Sequence, residues 1–251
     1  FQDNHKGVFY SDMTVHRLAL DYSPHWPLLI SDTVTLALVN DTLTVNAAQA
    51  ASQRITANKL SAEIPAITQP DPRLHLTLTG SNTIENMSDF IDHSALADHL
   101  GKNLEPFHAT GAGVLNLQLN IPLDHTDDTA VLGQLHIHDG TLRAFDIPNS
   151  IEKINGELNF TEHGLTVKQV NAVGFNHPMV IRADTLHTNA GLAILNLYAQ
   201  GSIDTAYLQS VSHLPLTHFI TGVIPFDVCI IRVLNAKHDS GAITFQAKSD
   251  L

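Results

Sequence analysis

Residues 111–124 read GAGVLNLQLNIPLD. Leu115, Leu117, Leu119 and Ile121 alternate with Asn116, Gln118 and Asn120. A period of two puts the apolar side chains on one face of a strand and the amides on the other. Glycines lead in at Gly111 and Gly113, and Pro122 ends the run. The same alternation recurs through much of the chain, so the function turns on what the apolar face covers.

The chain has 251 residues, of which 43% are hydrophobic and only 15% charged. That is enough apolar material for a core or a lined cavity, and a disordered chain would carry more charge and fewer aliphatics. The polar surface has to come from Thr, Asn, Gln, Ser and His. A net charge of −12 argues against nucleic acid, which needs a Lys/Arg surface. It equally opposes docking on anionic headgroups, but not contact with uncharged lipid tails. The single cysteine, Cys229, excludes an internal disulfide and any cysteine-rich metal site. No signal peptide and no apolar run of about 18 residues is present. Because residue 1 is Phe, we expect a piece of a longer protein whose signal or anchor lies elsewhere.

Taken in order, Val8 to Tyr22 is strand material, and Ser23 to Pro27 breaks it. Trp26, set between prolines, is expected to plug the end of a core. Thr33–Val39 and Thr42–Ala47 form a hairpin through Asn40-Asp41, with Val34, Leu36 and Leu38 on one face. Ile55–Ile64 and Leu74–Gly80 are further strands, joined by the proline-rich turn Pro65–Pro72. Phe90, Ile91, Leu96, Leu100 and Leu104 have helical spacing, which predicts one or two short helices over 87–104. Val131–His138 and Thr141–Ile147 are predicted as a hairpin through Asp139-Gly140. Glu157–Phe160 and Gly164–Val170 pair through Glu162-His163. Val180–Leu186, Leu192–Gln200, Phe226–Leu234 and Ala242–Lys248 are strands, with a short helix over 204–213.

The two halves resemble each other. Leu76-Thr-Leu-Thr-Gly-Ser81 and Leu197-Tyr-Ala-Gln-Gly-Ser202 both run into a predicted helix, at an offset of 121. Ile30 and Ile151 keep the same offset, and Leu43 and Leu165 differ by 122. We read an internal repeat: 7–127, then 128–251.

Few residues could carry chemistry. Gly111-Ala-Gly113 lacks a third glycine and opens a strand, so it is no dinucleotide fingerprint. There is no P-loop, nucleophile elbow or His-Glu-x-x-His. Sixteen histidines raise a metal reading. His136 and His138 would share a strand face, and Asp124, His125, Asp127 and Asp128 precede them. A solvated sheet face and an acidic turn explain the same residues. No cofactor is called for. The apolar face itself then fits either of two architectures. One is a β-sandwich burying the faces on each other, as in a structural or adhesive repeat protein without ligand. The other is a sheet curled into a groove whose lining is left for a ligand. A metal-dependent hydrolase is a further alternative.

A resemblance bears on this choice. Tyr22 to Pro27 in DYSPHWP before a hairpin, Gly111 to Leu123 after a helical insert, and Ile154 to Phe160 ahead of Gly164-Leu165 resemble the AsmA-like family of YhdP type. Residues 204–227, with Leu214-Pro215-Leu216-Thr217 and Gly222, resemble that family's next helix-and-strand insert. The likeness covers roughly Gly7 to Leu234 and rests on structural signatures. It implies a mainly β fold: a long, twisted, curled antiparallel sheet forming an open apolar groove, with short helices at the rim. It also implies a bridge-like lipid-transfer protein, not an enzyme, in the periplasm of a Gram-negative cell. The parent would be anchored in the inner membrane outside this segment. Phospholipid would be its cargo, passed toward the outer membrane or envelope proteins at the far end in support of the outer-membrane barrier. The alternation then nominates Val34, Leu36, Leu38, Leu115, Leu117, Leu119, Ile121, Leu158, Phe160, Leu195 and Leu197 as groove lining.

Overall fold

The computed structural model describes residues 7–21, 26–94, 107–125, 128–144, 150–189, 192–211, 221–234 and 243–248. The first strands are β1 Tyr10–Leu20, β2 Leu29–Val39, β3 Thr42–Ala47, β4 Ala50–Ser52, β5 Ile55–Ala57, β6 Lys59–Ile64 and β7 Arg73–Thr83. Helix α1 Ile84–Asp92 follows, then β8 Phe107–Pro122, β9 Ala130–Ala144, β10 Ile151–Thr161, β11 Gly164–Gly174 and β12 His177–His187. β13 Ala193–Asp204, helix α2 Thr205–Val211, β14 Val223–Leu234 and β15 Ile243–Lys248 complete the described elements. All fifteen strands belong to one sheet, in the order β15-β14-β13-β12-β11-β10-β9-β8-β7-β6-β3-β2-β4-β5, with β1 on β2. The path does not close. The mainly β, antiparallel fold is as expected, and the strands join one sheet instead of the two a sandwich needs.

The chain divides into two compact units: the first holds β1 to β6, β7 as far as Asn82, and Val114–Gln134, and the second holds β10 to β15 and Leu135 onward. β8 and β9 give residues to both.

In the first unit β2 runs from Leu29 to Val39, with Val34, Leu36 and Leu38 alternating along its second half. Its register with β1 and β3 sets Val34 opposite Val15 and Ala47, and Leu36 opposite Met13 and Val45. Asn40 turns the β2–β3 hairpin with φ 54°, a conformation Asn tolerates. At its other end β2 pairs β4, which pairs β5. The β4–β5 hairpin was not expected. Its Ala-Ala-Ser and Ile-Thr-Ala strands are too short and too weakly apolar to stand out. The expected single strand Ile55–Ile64 is in fact two, broken at Asn58, whose N–H bonds to the Thr79 carbonyl (2.8 Å). Ala50 and Ala57 from this hairpin pack with Val34, Ala47 and Leu60. Trp26 is buried and stands 6.3 Å from the Phe90 ring of α1. Helix α1 begins at Ile84, earlier than predicted, because Ile84 and Met87 complete its buried face. Residues 95–104 of the predicted helical stretch lie outside the described residues.

In the second unit β10 to β15 each pair with the next in sequence. One face carries a buried cluster that includes Val170, Ile181, Ala183, Leu195 and Ala199. A single sheet can bury such a face by curling toward it, and alanines on adjacent strands leave room for that curl. The predicted Asp139-Gly140 hairpin does not form. β9 runs through it to Ala144, with Asp139 at φ 50°. The dipeptide supplies a bulge: the Asp139 N–H bonds to Asn155 Oδ1 (3.1 Å), and Gly140 packs against Gly111. The tight reversal lies instead at Phe175-Asn176, both at positive φ, between β11 and β12. This is the two-residue primed turn that twisted hairpins favour. Of the short helix predicted at 204–213, α2 covers Thr205–Val211.

Candidate functional site: the apolar sheet face

The register builds rows of directly opposed side chains. Across the first unit one row runs Val15, Val34, Ala47, Leu60, Leu78. The next is Met13, Leu36, Val45, Ala62, Leu76, and the third is Ser11, Leu38, Leu43, Ile64. None of these three rows holds a charge. Burial falls along the series: Val34 is 2% exposed, Leu36 and Leu38 are half-buried, and Met13 is 57% exposed. The opposite face is polar. Ser61 Oγ donates to Asn46 Oδ1 (2.8 Å), and Thr79 Oγ1 donates to Asn116 Oδ1 (2.9 Å). The alternation is therefore a real separation of an apolar face from a hydroxyl-and-amide face.

On β8, Leu117, Leu119 and Ile121 are buried, Leu115 is half-buried and Gln118 is exposed. In the second unit, one row runs Val170, Ile181, Ala199, Val228, and the next runs Val167, Ala183, Leu197, Ile230. The third row holds Thr185, Leu195 and Arg232. Thr185 Oγ1 bonds to both the N–H and the carbonyl of Leu165, so its hydroxyl is satisfied within the sheet. Leu195 is buried in the cluster, with Leu158 and Leu197 packed half-buried against it. Phe160 pairs with Leu165 and is also half-buried.

The eleven nominated residues thus fall into two kinds. Val34, Leu117, Leu119, Ile121 and Leu195 are already covered by the protein, whereas Leu36, Leu38, Leu115, Leu158, Phe160 and Leu197 keep part of their surface. Sequence reasoning missed Ala62, Leu76, Ala183 and Ile230, which complete the rows. Alternation marks each of them, but only the register shows that they continue a row begun on another strand.

Arg232 is the one charged residue in the six rows described. His136 Nε2 lies 3.6 Å from Glu157 Oε2, and His177 Nε2 lies 3.2 Å from Asp204 Oδ2. Among the described residues no group of three or more His, Cys, Asp or Glu is placed to hold a metal ion. Asp127 of the acidic loop lies outside the described residues. Burial pushes the Tyr198 phenol above its usual value, and the Asp184 carboxylate and Cys229 add to the effect. No described helix is long and apolar enough to cross a membrane.

A family model described as "YhdP protein" matches residues 1–251. Over 182 residues, 72% of this chain, the sequence is 22% identical to the intermembrane phospholipid transporter YhdP of Escherichia coli (strain K12). The chain spans 14% of that protein's length. No solved structure matches it. A match that runs from the first residue to the last makes this chain a member of the YhdP family.

Proposed function

We propose that the chain is a periplasmic segment of a bridge-like carrier, and that phospholipid acyl chains slide along its apolar face between inner and outer membrane. The observation that carries this reading is the set of charge-free rows on one face of an open sheet, opposite a polar face. Aliphatic rows offer an acyl chain the same environment at every step, so no deep well holds it in one place. Headgroups stay in water at the open side. The activity named for the E. coli relative supports the same cargo.

In this reading the segment has two repeat units, 7–127 and 128–251. Leu36, Leu38, Leu115, Leu158, Phe160 and Leu197 touch the moving chains, while Val34, Leu117, Leu119, Ile121 and Leu195 form the floor beneath them. The chain catalyses no reaction. The parent protein is held in the inner membrane by an anchor outside the segment and meets the outer membrane or envelope proteins at its far end, in support of the barrier.

Native mass spectrometry of the purified protein is expected to find bound phospholipid. A photoreactive residue at Leu36 should capture acyl chains, and one at Thr35, on the polar face, should not. Protein free of lipid, together with equal capture at the two positions, would sink the reading in favour of a structural β-repeat.

A further inference from the structure

The buried-cluster face of the second unit ends on aromatic side chains. Beyond the Val170–Val228 row, Ala172 faces Met179 and Gly201 faces Phe226. Gly201 leaves room for its neighbours: a Cβ there would lie 3.0 Å from both the Met179 Cβ and the tip of the Phe226 ring. Phe226 packs half-buried against the cluster. Its ring centroid lies 6.0 Å from that of Phe175, and the Phe175 centroid lies 5.2 Å from that of Tyr207 on α2. The β11–β12 turn, α2 and β14 thus each send one ring to this edge. Phe175 holds its place at φ 53°, a conformation that Asn or Gly adopts at lower cost. A strained residue, kept where an easier one would turn the chain, points to a use for its side chain.

Helix α2 is held differently from α1. Ile84 and Met87 of α1 are buried, whereas Thr205 is the one buried residue among those described in α2. Thr205 is also its fixed point: its N–H donates to the Gly222 carbonyl (3.0 Å), and the Gly222 N–H donates to its Oγ1 (3.0 Å). Asp204, one residue earlier, has its Oδ2 3.2 Å from His177 Nε2. Past this base, Ala206 and Ser210 are exposed, and Tyr207 and Leu208 are half-buried. A seven-residue helix that buries so little opens more readily than the paired strands. We propose that α2 is a hinged flap at the edge of the apolar face, closed by the contact of Tyr207 with Phe175, and that phospholipid enters or leaves the second unit sideways when it lifts. Thr205 and Gly222 form the hinge. This rests on the lipid-carrier reading and adds a lateral port to the sliding path.

The test loads the purified chain from phosphatidylcholine vesicles that carry a pyrene-labelled phosphatidylcholine. Pyrene fluorescence reads the rate of transfer, and native mass spectrometry reads the final bound amount. Y207A and F175G should load about two- to tenfold faster than wild type, the factor that one lost ring pair accounts for, and reach the same final amount. Y207F, which keeps the ring, and A206S, at an exposed position of α2, should match wild type. In wild type the α2 amides should exchange hydrogen faster than those of β13, and faster again in Y207A. Loading at the wild-type rate in both Y207A and F175G would overturn the proposal, as would α2 amides protected as well as those of β13. A smaller final amount in both variants would also overturn it, by making the rings part of the binding surface. The carrier reading would survive each of these results. Wild type that takes up no phospholipid would overturn the carrier reading and this proposal together.

Discussion

Gly111 and Gly140 meet across β8 and β9 so closely that a Cβ on Gly111 would lie 2.8 Å from the Gly140 Cα. Gly111 is also at φ 125°, a backbone region that side chains disfavour. The two glycines and the bulge at Asp139 let both strands bend together without losing their neighbours.

Gly111→Ala combines a steric clash with a strained backbone. It should destabilise the chain by about 1–3 kcal/mol, visible as a lower urea midpoint. Gly7→Ala, where nothing lies within 4 Å, should change the midpoint by no more than about 0.5 kcal/mol. Equal effects would show that the contact between the glycines carries no strain.

Phe175 sits at φ 53° in the β11–β12 turn, with its ring centroid 5.2 Å from Tyr207 and 6.0 Å from Phe226. The backbone strain is of the order of 1–2 kcal/mol and each ring pair contributes about 0.5–1.5 kcal/mol. Both Phe175→Ala and Phe175→Gly lose the rings, but only glycine relieves the strain. The alanine variant should be the less stable by about 1 kcal/mol in thermal or urea unfolding. The reverse order would show that the turn is unstrained.

Burial separates two uses of an aspartate scan. Leu117 is 5% exposed, and a carboxylate there would be desolvated without a partner. Leu117→Asp should lose its cooperative unfolding transition. Leu38 is half-buried, so Leu38→Asp should stay folded by circular dichroism and carry less phospholipid. A folded Leu117→Asp chain would mean that its row is open to water.

Because the folded chain holds the Tyr198 proton more tightly than an unfolded chain, the stabilisation from this group is full below about pH 10 and declines as the pH rises past it. Phenolate absorbance should show a late-titrating tyrosine that is absent in Tyr198→Phe. Asp184→Asn removes a nearby negative charge and should shift that transition down. No response to Asp184→Asn would leave desolvation and Cys229 as the causes.

Period-two alternation was enough to find most strands, since each pattern of apolar and polar residues is local. Asp139-Gly140 was misread because its conformational preference is local as well, while the choice between reversal and bulge is not. That choice depends on Gly111 and Asn155, on the strands either side. The opposite error fell at Phe175-Asn176, where an aromatic hides a turn that its contacts with Tyr207 and Phe226 help to hold. The apolar face was legible as a face. Which of its leucines are floor and which are open depends on neighbours such as Ala47, Ala62 and Ala183, which enter only through register. Arg232 was invisible for the same reason: within CIIRVL nothing says that it shares a face with Leu195.

From β10 to β15 every strand pairs with the one made just before it. Loop closure is then short at each step, and non-local pairing, the slow part of β folding, is avoided. A growing chain can therefore assemble progressively, each new strand using the last as its template. The exposed edge at any moment would be a single strand wide, which limits the time available for pairing with another molecule.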